Sequence, residues 1–220
     1  PTSVINASLA GVFQVCQSRG ANTVYGMNNG VAGLLEKRVV DLSEKLPSSL
    51  EIELLKRTPS SFLGSCRYKL PDLNADTGVY ETLFRVLTEL EIEWFFYIGG
   101  NDSMDTVAKL SAYGKKIGSP VRFVGVPKTI DNDLAYTDYT LGFDTAVNTC
   151  LDIINKLRDT MTSHERVSVV EVMGRRCGDI ALYSGIASGA EIIVVPEIKF
   201  DILLAMTLTK NEKNLQEVLL

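Results

Sequence analysis

Histidine is nearly missing: the chain has one, His164, which excludes a histidine-rich metal centre. Cysteine is sparse too. Cys16, Cys66, Cys150 and Cys177 are scattered with no C-x-x-C pair, so free thiols in a reducing cytoplasm are expected rather than disulfides or a metal site. No apolar run approaches the ~20 residues that cross a bilayer, so no membrane partner is expected. The start, Pro1 to Ala10, lacks the basic region and apolar block of a signal peptide. An excess of positive charge is also missing. A net charge of −5 argues against general nucleic-acid affinity and makes any basic chemistry local. Internal repeats and low-complexity segments are absent.

What is present is ordinary globular material: 220 residues, 45% hydrophobic and 22% charged, enough for one good core or two modest ones. Pro1 to Gly20 reads as a turn and an amphipathic helix with Val4, Ile5, Leu9, Val12, Phe13 and Cys16 on its buried side. Thr23 to Tyr25 is a short strand, and Val39 to Pro59 is polar and irregular, with a helix around Glu51 to Leu55. Asn74 or Asp76 can cap a helix reaching Leu90, with Tyr80, Leu83, Phe84 and Leu87 inward. Apolar strands follow at Trp94 to Ile98, Val121 to Val126, Val167 to Met173 and Glu191 to Val195. Helices fall at Ser103 to Ile117, with Val107, Ala108 and Leu110 on the apolar side, at Asp144 to Met161, and at Asp179 to Ser188. Fully apolar strands alternating with helices argue for parallel sheets covered on both faces. A composition change places a domain boundary near Asp144. The last stretch, Asp201 to Leu220, does not form a complete unit.

Two loops carry the chemistry. Gly99, Gly100, Asn101, Asp102 and Ser103 follow one buried strand and open a helix, where backbone N–H groups and a positive dipole end can receive an anion. Lys128, Thr129, Ile130, Asp131, Asn132 and Asp133 follow the next strand and bring an ammonium group and two carboxylates to its end. A carboxylate beside a sugar hydroxyl can remove its proton as the oxygen attacks phosphorus. Arg166 and Gly174-Arg175-Arg176 add cations suited to bidentate phosphate binding, and Ser60 to Arg67 is a small-residue loop with one arginine. Plain structural roles stay open for each. Asp102 can be a helix cap, which Asn101 or Ser103 could also fill. Thr129 to Asp133 can be an Asx-turn cluster, the arginines can be solvated, and His164 can sit at a helix end.

Together the motifs resemble the phosphofructokinase family. Gly99 to Ser103, Pro127 to Asp133 and Met173 to Asp179 occur in its order and spacing, as do Phe62 to Arg67 and Ser163 to Arg166, and the likeness covers roughly Pro1 to Glu197. It implies two Rossmann-like, parallel-sheet α/β domains with the active site in the cleft between them. Residues 1–143 would be the larger, phosphoryl-donor-binding domain and 144–220 part of the smaller, sugar-phosphate-binding one. The implied reaction is Mg²⁺-dependent phosphorylation of the 1-hydroxyl of fructose 6-phosphate, a step of glycolysis. By matching position, Asp131 would be the general base, and Thr129 with Ile130 would hold the sugar acceptor. Met173, Gly174 and Arg175 would line the sugar side, Arg175 steadying the transferred phosphoryl. Arg67, Gly100 and Ser103 would face the donor. Arg166 would reach the sugar phosphate of a neighbouring subunit, which implies a homodimer or homotetramer.

Two positions bear on the donor. ATP-dependent members usually have glycine where this chain has Asp102 and Lys128, whereas pyrophosphate-dependent members have aspartate and lysine. A carboxylate at 102 takes the space and opposes the charge of a nucleotide's α-phosphate, while Lys128 offers a cation to the smaller inorganic donor. Pyrophosphate is therefore the expected donor. An ATP-dependent enzyme and a non-catalytic regulatory subunit of the same fold are the alternatives. The family usually has aspartate at Asn101, where it helps hold Mg²⁺. An amide oxygen still coordinates but brings no charge, and Asp102 or Asp133 can share that work. The family's glycine-rich beginning is not seen before Pro1. The glutamate, histidine and arginines that complete its sugar-phosphate site are not visible after Phe200, so the C-terminal part is expected to be incomplete.

Overall fold

The computed structural model describes residues 3–164, 167–201 and 217–219. They form two compact units, Pro1–Lys128 and Thr129–Leu220. Composition places a boundary at 143/144, whereas compactness divides the chain at 128/129. The first criterion concerns residue usage and the second concerns which residues pack together.

The first unit runs α1 (Ser3–Ser18), β1 (Tyr25–Met27), α2 (Gly30–Leu35), β2 (Val39–Asp41), α3 (Leu42–Lys45), α4 (Ser49–Arg57), α5 (Gly78–Glu89), β3 (Trp94–Gly99), α6 (Asn101–Ile117) and β4 (Arg122–Thr129). α5 follows its expected face. Tyr80, Leu83, Phe84 and Leu87 are buried with Phe95 of β3 and Leu110 and Tyr113 of α6. Each such side chain contributes about 1.5–3 kcal/mol by leaving water. Phe84 meets Tyr113 edge-on, with ring centroids 5.3 Å apart. The helix start differs in detail: Thr77 is the N-cap residue without a side-chain cap, while Asp76 Oδ1 accepts from the Gly78 N–H at 2.8 Å. In α6, Ala108 faces solvent instead of the core, and Thr106 takes a buried position.

A second cluster packs Ala10 and Phe13 of α1 against Leu42, Leu46, Ile52 and Leu55. Asn6, 1% exposed, anchors α1: its Nδ2 donates to the Thr58 carbonyl and its Oδ1 accepts from the Phe62 N–H, both at 2.8 Å. β1 lies at Tyr25–Met27 and pairs antiparallel with β2. Strands of three residues carry too little pattern to read from sequence. β3 and β4 pair in parallel, Trp94 with Arg122 through Gly99 with Pro127. An apolar cavity of about 450 Å³ lies along β1 and β3, bordered by Leu9, Val12, Leu63, Trp94 and Phe96. None of Arg67, Gly100, Asp102, Ser103 or Lys128 lines it.

The second unit contains β5 (Leu141–Gly142), α7 (Phe143–His164), β6 (Ser168–Val170), α8 (Asp179–Ser188), β7 (Ile192–Ile193) and β8 (Glu217–Leu219). β8 lies between β6 and β7, parallel to both. Residues 217–219 thus add a central strand to this sheet. The strand expected at Val167 to Met173 shortens to Ser168–Val170 because the chain turns away towards the Gly174 bend. α7 and α8 cover the sheet through Ile154 and Ala181, against Val170 and Ile193. At Gly185 an added Cβ would stand 2.7 Å from Ile193, so glycine permits the close approach of helix to strand.

Candidate active site

In the first unit the register of β3 against β4 does the positioning. Gly99 stands opposite Pro127, so Gly100 and Lys128 emerge side by side at the carboxyl ends of adjacent parallel strands. Such strand ends are where ligands bind in open parallel sheets. α6 begins at once: Gly100 is its N-cap residue, and its carbonyl accepts from the N–H groups of Ser103 and Met104 at 3.0 Å. Asn101, Asp102 and Ser103 are thus the first helical residues, two positions earlier than the sequence suggests, and none of them is the cap. A Cβ on Gly99 would run into the Ser103 hydroxyl, so glycine there keeps that hydroxyl against the strand end.

Asp102 is exposed and paired: Lys69 Nζ lies 3.1 Å from its Oδ1. Lys69 was not singled out by the sequence motifs. It lies two residues beyond Arg67 in an irregular segment, and only the fold brings it to α6. Arg67 is exposed. Its loop is tied down by Asn29, whose N–H donates to the Leu63 carbonyl at 2.7 Å and whose Nδ2 donates to the Ser65 carbonyl at 3.3 Å. Next to Arg67, Cys66 Sγ is 3.9 Å from the Tyr97 hydroxyl. Burial pushes the Cys66 thiol up, but hydrogen bonds with the backbone of Ala32, Tyr68 and Val31 and with Tyr97 bring it below its usual value. Burial drives the Tyr97 phenol up to about 12, and the neighbouring Cys66 adds to the shift. All four cysteines are free.

In the second unit Thr129 Oγ1 accepts from the Asp131 N–H at 3.2 Å, a short turn that fixes the start of the acidic loop. Asp131 and Ile130 are half-buried and Asp133 is exposed. Asn132 bonds to Thr140 and to Asp179. Thr140, 4% exposed, also donates through Oγ1 to the Thr129 carbonyl at 2.7 Å. The other cationic loop is a tight bend. Gly174 has φ +146°, and a Cβ there would meet the Cys177 carbonyl. Arg175 takes φ +60°, a left-handed conformation that costs a non-glycine residue about 1–2 kcal/mol. Arg175 and Met173 both face solvent. Glu197, also not singled out by the motifs, accepts from the Gly178 N–H at 2.8 Å and so caps the start of α8. Its signal was a carboxylate directly after the Pro196 that closes a strand. Arg166 lies outside the described residues.

Among the described residues no group of three His, Cys, Asp or Glu side chains could hold a metal, and no helix is long and apolar enough to cross a membrane. A hard cation bound mostly by phosphate oxygens and water needs only one or two protein oxygens. Asn101 and Asp102, adjacent and exposed at the start of α6, meet that lesser requirement.

The fold and these loops describe an α/β protein with polar groups gathered at the ends of parallel strands. The phosphofructokinase family model matches residues 1–218. An ATP-dependent 6-phosphofructokinase of Clostridium tetani is 43% identical over 211 residues, 96% of this chain and 61% of that protein. One from Clostridium acetobutylicum is 45% identical over 197 residues, 90% of this chain and 57% of that protein. The crystal structure of a pyrophosphate-dependent phosphofructokinase from Marinobacter aquaeolei superposes with a TM-score of 0.87 at 34% identity, covering 99% of this chain and 57% of that one. One from Nitrosospira multiformis gives 0.88, also at 34% identity and with the same coverage. The chain belongs to the phosphofructokinase family and has its α/β fold. It spans about 60% of the length of these Clostridium relatives.

Proposed function

We propose that the protein of which this chain is part is a phosphofructokinase that takes inorganic pyrophosphate as its phosphoryl donor. The observation that carries this reading is the carboxylate and ammonium pair at the strand ends: Asp102 in the first turn of α6, and Lys128 one residue beyond the Gly99–Pro127 pairing. Asp102 narrows the space for a nucleotide's inner phosphate and opposes its charge. Lys128, Arg67 and the start of α6, with Gly100 and Ser103, receive the diphosphate. Lys69 offsets the charge of Asp102, so the site attracts an anion despite its carboxylate.

On the acceptor side, Thr129 and Ile130 hold fructose 6-phosphate with Met173, Gly174 and Arg175, and Arg166 reaches the sugar phosphate from a neighbouring subunit of a homodimer or homotetramer. Asp131 accepts the proton of the 1-hydroxyl as that oxygen bonds to the transferred phosphorus. The phosphoanhydride bond breaks, and orthophosphate leaves. Lys128 and Arg175 meet the charge on the transferred phosphoryl. Asp131, protonated in this step, serves as the acid in reverse, and two phosphate compounds of similar energy make the reaction reversible. Mg²⁺, held through Asn101 with Asp102, would neutralise diphosphate oxygens when bound. Residues 1–143 would serve the donor and 144–220 the sugar. The setting is cytoplasmic glycolysis and gluconeogenesis.

A second reading, ATP as donor, is favoured by the names of the Clostridium relatives at 43% and 45% identity. Phosphoryl transfer itself is tested by Asp131→Ala in the full-length protein. Loss of a general base lowers kcat by about 10²–10⁴-fold, and unchanged activity overturns the mechanism.

A further inference from the structure

The acidic loop contains a side chain that the proposed reaction does not use, Asn132, and it is hydrogen-bonded to two other segments. Asn132 sits at φ +57°, in the left-handed region that asparagine tolerates better than most residues. Its Oδ1 accepts from the Thr140 N–H at 2.9 Å and lies 3.3 Å from the Thr140 hydroxyl. Its Nδ2 donates to Asp179 Oδ2 at 2.7 Å and to the Asp138 carbonyl at 3.1 Å. The amide's two donors are thus both satisfied, with its acceptor facing Thr140. The Cys177 thiol lies 3.9 Å from the Asn132 carbonyl. One side chain therefore joins three segments of the second unit: the loop bearing Asp131, the Asp138–Thr140 approach to β5, and the first turn of α8.

We infer that Asn132 is the positioning residue that aims Asp131. This rests on the reading of Asp131 as the general base. Asp131 is held on its other side by the bond from its own N–H to Thr129 Oγ1. Thr129 is in turn held by Thr140, which is bonded to Asn132. The base-bearing residue is enclosed in a ring of contacts, and the reversal of the chain at Asn132 sets the direction in which its carboxylate leaves the backbone. The bond to Asp179 anchors that ring to a helix of ten residues rather than to another loop. Removing the amide frees the ring at its best-anchored point, and a displacement of about 1 Å in a reacting group costs on the order of 100-fold in rate.

Asn132→Gly is the sharpest variant, because glycine adopts the same φ without strain and only the amide is lost. In the full-length protein, kcat for fructose 1,6-bisphosphate formation falls about 100-fold while KM for fructose 6-phosphate stays within about threefold. In the Asp131→Ala background the same change adds less than about threefold, since a residue acting through Asp131 has nothing left to aim. The exchange Asn132→Asp with Asp179→Asn restores an amide-to-carboxylate bond with its direction reversed. It recovers at least about tenfold over Asn132→Asp alone, a recovery that shows the variants are folded. A kcat for Asn132→Gly within threefold of the parent overturns the inference, as does a full multiplicative loss in the Asp131→Ala background or no recovery in the exchange. If Asp131→Ala itself keeps full activity, the base assignment falls and the inference falls with it. If Asp131→Ala is inactive while Asn132→Gly is normal, only the inference falls.

Discussion

Replacing Asp102 and Lys128 together by glycine should move donor preference from pyrophosphate towards ATP, and the structure sets the scale. The Lys69–Asp102 pair is close, at 3.1 Å, but its side chains are 77% and 74% exposed, so breaking it costs no more than about 1 kcal/mol. Loss of a carboxylate from the first turn of α6 costs about 0.3–1 kcal/mol through the helix dipole. Glycine in place of a helical residue costs at most about 1 kcal/mol more. The variant should therefore fold, with a thermal midpoint a few degrees lower. Catalysis should respond more strongly. Like charges about 5 Å apart at an effective dielectric of about 20 repel by about 3 kcal/mol. Lys69 cancels part of that, leaving about 1.4–2.8 kcal/mol, or 10- to 100-fold in kcat/KM for ATP. Loss of the Lys128 ammonium lowers kcat/KM for pyrophosphate by a similar factor, so the ratio of the two donors shifts by about 10²–10⁴. The assay is fructose 1,6-bisphosphate formation by the full-length protein at saturating Mg²⁺ with each donor in turn. A folded variant whose donor ratio moves less than about threefold would refute the steric and electrostatic reasoning.

The half-buried phenol of Tyr97 gives a pH signature. The unfolded phenol loses its proton near pH 10, while the folded one keeps it to about 12, so stability is full below pH 10 and falls as pH rises through that window. The fall is on the order of 2 kcal/mol, and chemical denaturation of Tyr97→Phe should give a flatter curve; parallel curves would contradict it. Asn6→Ala strands the Thr58 carbonyl and the Phe62 N–H beside α1 and should cost about 2–4 kcal/mol in urea unfolding, and a loss under about 0.5 kcal/mol would show that water replaces the amide. Gly99→Ala drives the Ser103 hydroxyl from the strand end. It should raise the donor KM about tenfold and leave the KM for fructose 6-phosphate near normal; equal changes in both would place Ser103 away from the donor.

The parts legible in the sequence were those with long or chemically distinctive patterns. Trp94 to Ile98 is a continuous apolar run that reads as a strand, though of it only Phe95 is fully buried and Trp94 is exposed at the sheet's edge. The Tyr80, Leu83, Phe84 and Leu87 spacing admits only one buried helix face. The glycine turn and the run from Lys128 to Asp133 marked the strand ends because charges rarely follow buried strands without reason. Short elements escaped: β1 and β2 have three residues each, and their antiparallel pairing depends on contacts that no local pattern encodes. β8 is placed between β6 and β7 from far along the chain, and residue spacing says nothing about such insertion. Lys69 was missed because its relation to Asp102 arises from folding, not from sequence separation. The left-handed turn at Asn132 lay in plain view, but its four polar contacts come from two other segments, 138–140 and the start of α8.

The most direct measurement of the central claim is the steady-state rate of the unaltered full-length protein with fructose 6-phosphate and Mg²⁺, supplied with pyrophosphate or with ATP. Fructose 1,6-bisphosphate and orthophosphate should form with pyrophosphate, at a kcat/KM at least about 100-fold above that with ATP. Product formed from ATP alone would contradict it.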